Sequence, residues 1–83
     1  MKEWKIYILE CSDDTYYTGI TKDVEERIQK HNSGKGSKYT AARSPVKLLV
    51  KSKKRYTYSN ALKNEHYIKK QSREKKIELV KNL

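Results

Sequence analysis

Residues 5–20 read KIYILECSDDTYYTGI, an apolar run holding Tyr7, an acidic turn, and a second run holding Tyr17. From Trp4 to Leu9 the side chains alternate so that Trp4, Ile6 and Ile8 point one way and Lys5, Tyr7 and Leu9 the other, which leaves both faces largely apolar. A strand of that kind is covered on both sides, and this makes it the centre of a sheet. Ser12–Thr15 supplies a turn and Tyr16–Ile20 returns as the second strand of a hairpin. Gly19, near the end of that strand, either allows close backbone approach or marks where the strand stops. The stretch also raises a chemical question. The chain has seven tyrosines and no phenylalanine, and a buried phenol must find a hydrogen-bond partner or cost stability. Tyr7 and Tyr17 are therefore either amphipathic packing or hydroxyls with chemistry to perform.

Downstream of the hairpin, Asp23 with Glu26 three residues later resembles a capping box, and Gly34 supplies a stop, so a first helix of about ten residues is expected between them. Residues 33–45, SGKGSKYTAARSP, have turn composition and read as a mobile basic loop. Val46–Lys53 gives a third strand. Ser59 is placed to cap a second helix reaching Gln71, and Ser72 a third carrying Ile77 and Val80. The order β-β-α-β-α-α in a single domain spanning residues 1–83 calls for a small α/β sandwich. A chain of 83 residues is too short to enclose a deep cavity, so any active site must be a shallow surface cleft.

The formal net charge is +10 and it is unevenly placed. Residues 1–34 carry five Lys/Arg against seven Asp/Glu, and residues 35–83 carry fifteen against three. Self-repulsion at that density makes a polyanion the natural partner, with a lysine-rich solvated surface as the plainer alternative. A membrane surface fits less well, because no helix pairs a basic face with large exposed aromatics. Cys11 is the sole cysteine and His31 and His66 the sole histidines, which excludes an internal disulfide and a zinc site of the usual Cys/His kind. With no signal peptide and no apolar run of membrane length, a cytoplasmic location is expected.

Projected at 3.6 residues per turn, Val24, Arg27, Ile28 and His31 share one stripe of the first helix, and Ala61, Leu62, Glu65 and Ile68 share one stripe of the second. Glu65 interrupts an otherwise inward face, where a carboxylate is costly unless paired, hydrogen-bonded or bound to a cation. Two readings follow. One is a structural salt bridge from Arg27 to Glu65. The other is a cluster of Tyr, Arg, His and Glu around a phosphate and a divalent metal, in which a hard oxygen ligand meets a guanidinium and a proton acceptor. His31 by itself also fits a helix C-terminus, where it would interact with the dipole. Tyr16, Tyr39, Tyr56, Tyr58 and Tyr67 suit packing or stacking on nucleic acid.

These residues together resemble the GIY-YIG nuclease domain. KIYIL followed by YTG resembles its paired motif, and Arg27, His31 and Glu65 match its later motifs in order and spacing over essentially the whole chain. YTGIT, HNSGKGSKYT and ALKNEHYIKK resemble its small stand-alone bacterial branch. Lys5 stands where the motif begins with Gly, and Ile20 where repair endonucleases of the family place a lysine.

The resemblance implies an antiparallel three-stranded sheet with its first strand central. It further implies a metal-dependent endonuclease acting on DNA, in a setting such as DNA repair, with Mg²⁺ or Mn²⁺ held by Glu65 and waters. Tyr7 would be the general base and Tyr17 its partner in orienting water and phosphate, with the reverse assignment of the two tyrosines as the alternative; Arg27 would be a clamp on phosphate charge, and His31 a proton relay or orienting group. Lys35, Lys38, Arg43, Lys69 and Lys70 are the expected nucleic-acid contacts. Without a second domain to read bases, selectivity for structure is expected over selectivity for sequence. A protein partner could supply specificity, and a non-catalytic DNA- or RNA-binding module of the same fold is the competing function. A tyrosine of pKa about 10 is ionised about one part in a thousand at pH 7, so a phenol base needs help worth about three pKa units, some 4 kcal/mol.

Overall fold

In the computed structural model, which describes all 83 residues, the first strand, β1 (Lys5–Glu10), lies between β2 (Tyr16–Thr21) and β3 (Lys47–Lys51) in an antiparallel sheet of order β2-β1-β3. The four residues Ile6–Leu9 are buried essentially completely, as the apolar character of both faces requires. Ile6 and Ile8 pack with Ile68 and Val80 on one side of the sheet; Tyr7 and Leu9 pack with Cys11, Val24 and Val46 on the other. Burying an Ile or Leu side chain fully is worth about 1.5–3 kcal/mol relative to exposure, so both clusters hold the sheet between helical layers.

The helices are α1 (Val24–Asn32), α2 (Lys38–Ala41), α3 (Tyr58–Lys69) and α4 (Arg73–Lys81). Helix α1 contributes Val24 and Ile28 to the Tyr7 side, while α3 and α4 cover the opposite side through Ile68 and Val80. At the start of α1 the Asp23 carboxylate accepts from the Glu26 amide at 3.1 Å. At its end Gly34 adopts φ +82°, the left-handed conformation that stops a helix. None of these helices is long and apolar enough to cross a membrane.

Several boundaries differ from the sequence-based expectation. The basic stretch after α1 is not loop throughout, because Ser37 accepts from the Thr40 amide at 3.2 Å and starts the single turn α2, which buries Thr40 completely. β3 is shorter than residues 46–53; past its end buried Ser52 accepts from the Ile6 amide at 3.1 Å and donates to the Lys54 carbonyl. Helix α3 is capped by Thr57 rather than Ser59, since Trp4 and Tyr56 exchange backbone hydrogen bonds of 2.9 and 2.7 Å that hold the chain extended up to Tyr56. The turn into the helix follows at once. It ends at Lys69, two residues short of Gln71, and Ser72 caps α4 as expected.

Thr57→Ala is expected to cost about 1 kcal/mol in urea denaturation, whereas Ser59→Ala, inside the first turn, should stay within about 0.5 kcal/mol of the parent. Equal costs at the two positions would contradict the cap assignment.

Candidate active site

Tyr7 on β1 pairs across the sheet with Gly19 on β2. A methyl group at Gly19 would lie 2.6 Å from the Tyr7 hydroxyl and 2.8 Å from Cζ, so the phenol rests on bare backbone. Gly19 therefore serves close approach and does not end the strand, which runs on to Thr21. The hydroxyl meets Nε2 of His31 at 3.0 Å. His31 is fully buried, and its Nδ1 meets the Thr40 hydroxyl at 2.7 Å.

The segment from Gly36 to Thr40 closes over this pair. A Cβ at Gly36 would come within 2.2 Å of His31 Nδ1, and the Gly36 carbonyl accepts from Arg27 Nη2 at 3.1 Å. Arg27 and His31, one turn apart on α1, are thus both tied to the same segment. His31 is consequently no helix cap. The carbonyls at the end of α1 are satisfied instead by the amides of Ser33, Gly34 and Lys35, leaving the imidazole for Tyr7 and Thr40. Tyr17 stands beside it, with ring centroids 5.0 Å from His31 in edge contact and 6.4 Å from Tyr7.

The profile of the family described as the GIY-YIG catalytic domain matches residues 3–78. The chain belongs to the GIY-YIG family. Among its relatives, the UPF0213 protein of Syntrophus aciditrophicus is 54% identical over 77 residues, covering 92% of this chain and 87% of that protein. A UPF0213 protein of Haloquadratum walsbyi is 52% identical over 75 residues, 90% of this chain and 83% of the relative. The solution NMR structure of the UPF0213 protein BH0048 from Bacillus halodurans is 45% identical, with a TM-score of 0.53 over 93% of this chain and 81% of that one.

No ion pair joins Arg27 to Glu65 in this GIY-YIG domain, which removes the structural salt bridge as the reason for a carboxylate on the inner stripe of α3. Arg27 is engaged by the Gly36 carbonyl, and its charge acts on the Tyr7 phenol. The Glu65 side chain is 12% exposed and its ion-pair partner is Lys69, one turn along α3, at a loose 3.9 Å. No group of three or more His, Cys, Asp or Glu side chains converges anywhere in the fold. A cation here would rest on one protein carboxylate, with water or substrate oxygens completing its shell. That donor set suits Mg²⁺ or Mn²⁺ and not a metal that needs a protein cage.

Burial governs the proton affinities. It is the largest of the influences that push the Tyr7 pKa up from 10.0 to about 12, outweighing the hydrogen bond and charge of Arg27, while Tyr17 and Glu65 add to the rise. Burial also lowers His31, helped by the Arg27 charge. The resting couple is therefore a protonated phenol and a neutral imidazole.

Among the expected nucleic-acid contacts, Lys35, Lys38 and Lys70 are exposed. Lys69 joins Lys76, Tyr16, Tyr17, Thr18 and Tyr39 around the mouth of a shallow depression of about 340 Å³, which shares Tyr17 with the site. Arg43 is spoken for. Its Nε bonds Asp13 at 2.9 Å, its Nη1 the Tyr39 carbonyl at 2.9 Å, and its guanidinium lies 3.9 Å from the centre of the Tyr39 ring, so it braces the loop. Sequence periodicity missed Gly36 and Thr40. The available signal was Ser37, three residues before Thr40, with the spacing of a helix cap.

A buried neutral histidine makes stability depend on pH with a definite sign. Below its ordinary pKa of 6.5 the unfolded chain binds a proton at His31 that the folded chain refuses, so stability falls as pH drops through 6.5 and levels off below the depressed folded pKa. Urea denaturation between pH 7.5 and 5 should show this decline, and His31→Gln should flatten it. A parent curve already flat over that window would contradict the buried, neutral assignment.

Proposed function

We propose that this GIY-YIG domain is a metal-dependent endonuclease that hydrolyses phosphodiester bonds in DNA and selects structure over sequence. The observation that carries the reading is the Tyr7–His31 couple, hydrogen-bonded at 3.0 Å between two buried side chains and flanked by Arg27 and Glu65, both of which act on the phenol's proton affinity. A protein that only bound nucleic acid would need the lysines and not this couple.

In the reaction, a water attacks phosphorus as the bond from phosphorus to the leaving sugar oxygen breaks. The water proton passes to the Tyr7 oxygen while the Tyr7 proton passes to Nε2 of His31, and the leaving oxygen takes a proton from solvent. From a pKa near 12 a free phenolate lies about five units, roughly 7 kcal/mol, from availability at pH 7. Transfer to a neutral imidazole within the transition state avoids forming it, as a histidine does for a serine nucleophile. Arg27, with Nη2 anchored on the Gly36 carbonyl, presents its remaining N–H groups to the phosphate as charge develops. Glu65 would hold Mg²⁺ or Mn²⁺, which would supply positive charge to offset the negative charge developing in the reaction. Lys69 and Lys76 grip flanking phosphates at the mouth, with Tyr17 and Tyr39 as apolar walls. Phosphate contacts of this kind position a substrate without reading its sequence.

The competing function, a non-catalytic DNA- or RNA-binding module, draws on the same +10 charge. The test is cleavage by purified protein with Mg²⁺ or Mn²⁺ on duplex, nicked, branched and single-stranded DNA and on RNA. Cleavage of DNA that Glu65→Gln abolishes, with binding nearly intact, is the expected result. Binding without cleavage of any substrate would favour the competing function, and unchanged turnover in Glu65→Gln would remove the metal assignment.

If Lys35, Lys38, Lys69, Lys70 and Lys76 each neutralise one phosphate, log affinity for duplex DNA should fall against log salt with a slope of about −4.5. A slope near zero would mean that these lysines serve solubility alone.

A further inference from the structure

Thr40 has no reactive role in the chemistry above, yet it is fully buried and its hydroxyl oxygen lies 2.7 Å from Nδ1 of His31. The protons around that oxygen can be counted. The Ser37 backbone carbonyl, 3.3 Å away, can only accept. The Ser37 hydroxyl, 3.0 Å away, already accepts from the Thr40 amide at 3.2 Å, so its own proton is available to Thr40. A hydroxyl has one proton and two lone pairs. One arrangement satisfies every contact: the Thr40 proton on the Ser37 carbonyl, one lone pair taking the Ser37 proton, and the other lone pair facing Nδ1. In that arrangement Nδ1 carries hydrogen.

The opposite side of the ring decides between the arrangements. The buried Tyr7 hydroxyl has one hydrogen-bond neighbour, Nε2 of His31 at 3.0 Å. Were Nε2 to donate to the phenol oxygen, the Tyr7 proton would be left without an acceptor in the interior. Hydrogen on Nδ1 and a lone pair on Nε2 satisfy both ends, whereas the other tautomer would set Nε2–H against the phenol oxygen and leave the couple unable to take a proton.

We infer that Thr40 is a positioning residue that fixes the His31 tautomer, holding hydrogen on Nδ1 so that Nε2 is kept open for the Tyr7 proton. The segment from Gly36 to Thr40 then has two sides with two tasks. Lys38 faces solvent, and Thr40, two residues on, faces inward and sets the proton acceptor. Thr40 acts through His31, in the way a triad carboxylate acts through its histidine. The inference rests on the proposed nuclease function only for its kinetic consequence, because the tautomer exists without substrate.

The experiment uses the whole chain labelled with ¹⁵N and long-range ¹H–¹⁵N correlation of the imidazoles at pH 7.5, where exposed His66 serves as internal reference. Wild type should show hydrogen on Nδ1 of His31. Thr40→Val, which keeps the shape and removes the hydroxyl, should move it to Nε2, and Thr40→Ser should restore Nδ1. Single-turnover cleavage should fall about 10²-fold in Thr40→Val with affinity for substrate unchanged, and recover in Thr40→Ser. Hydrogen on Nε2 in wild type, or the same tautomer in wild type and Thr40→Val, would overturn the inference. Should Thr40→Val fail to fold, the wild-type and Thr40→Ser spectra still decide, since Nε2–H in either contradicts it. A protein with the Nδ1–H tautomer and no cleavage of any nucleic acid would count against the nuclease function and leave the role of Thr40 standing.

Discussion

The hydrogen bond between the Tyr7 phenol and Nε2 of His31 joins the central strand to α1 at a point where both residues are buried. Most of the site's geometry serves to make that contact possible. The phenol can lie flat only because residue 19 has no side chain, and the imidazole can be covered only because residue 36 has none. Any larger residue at either position must displace a ring in a packed interior, a change that typically costs about 1–3 kcal/mol. The tight spacing also explains why tyrosine stands at position 7. Its ring fills the space between β1, β2 and α1, while its oxygen reaches a partner that phenylalanine could not use.

Burial sets the chemistry of the couple as well as its position. It raises the phenol and lowers the imidazole, so both rest neutral and neither is a strong base in isolation. What the arrangement provides is direct transfer between them at short range, with a guanidinium at hand to favour negative charge on the phenol oxygen. The lysines belong to a different part of the proposed function. Lys35, Lys38, Lys69 and Lys70 are exposed and suited to phosphate, whereas Arg43 is drawn into the fold by Asp13 and Tyr39.

Much of this was legible in the sequence because it depends on local period. Alternation in residues 4–9 identified the central strand, and the 3.6-residue stripe put Arg27 and His31 on the side of α1 that reaches Tyr7. What the sequence concealed depends on contacts between distant segments. The start of α3 is set by a bridge between Tyr56 and Trp4, and no local propensity separates Thr57 from Ser59 as the cap. The turn α2 is one short helical element whose composition is that of a loop, so Thr40 gave no periodic signal. Arg43 is held by an aspartate far back in the hairpin turn. The direction of the Tyr7 shift was hidden for the same reason, since a mechanism suggests a lowered phenol and the packing around it raises one.

The measurement that tests the central claim most directly is single-turnover cleavage of one DNA substrate by Tyr7→Phe and Tyr17→Phe, with thermal melts to establish folding. Phenylalanine keeps the ring over Gly19 and removes the proton. Tyr7→Phe is expected to lower the rate by about 10² to 10⁴ while remaining folded, and Tyr17→Phe to lower it less. Full activity in both would make the phenols structural, and a larger loss in Tyr17→Phe would move the base away from the Tyr7–His31 couple and contradict the mechanism.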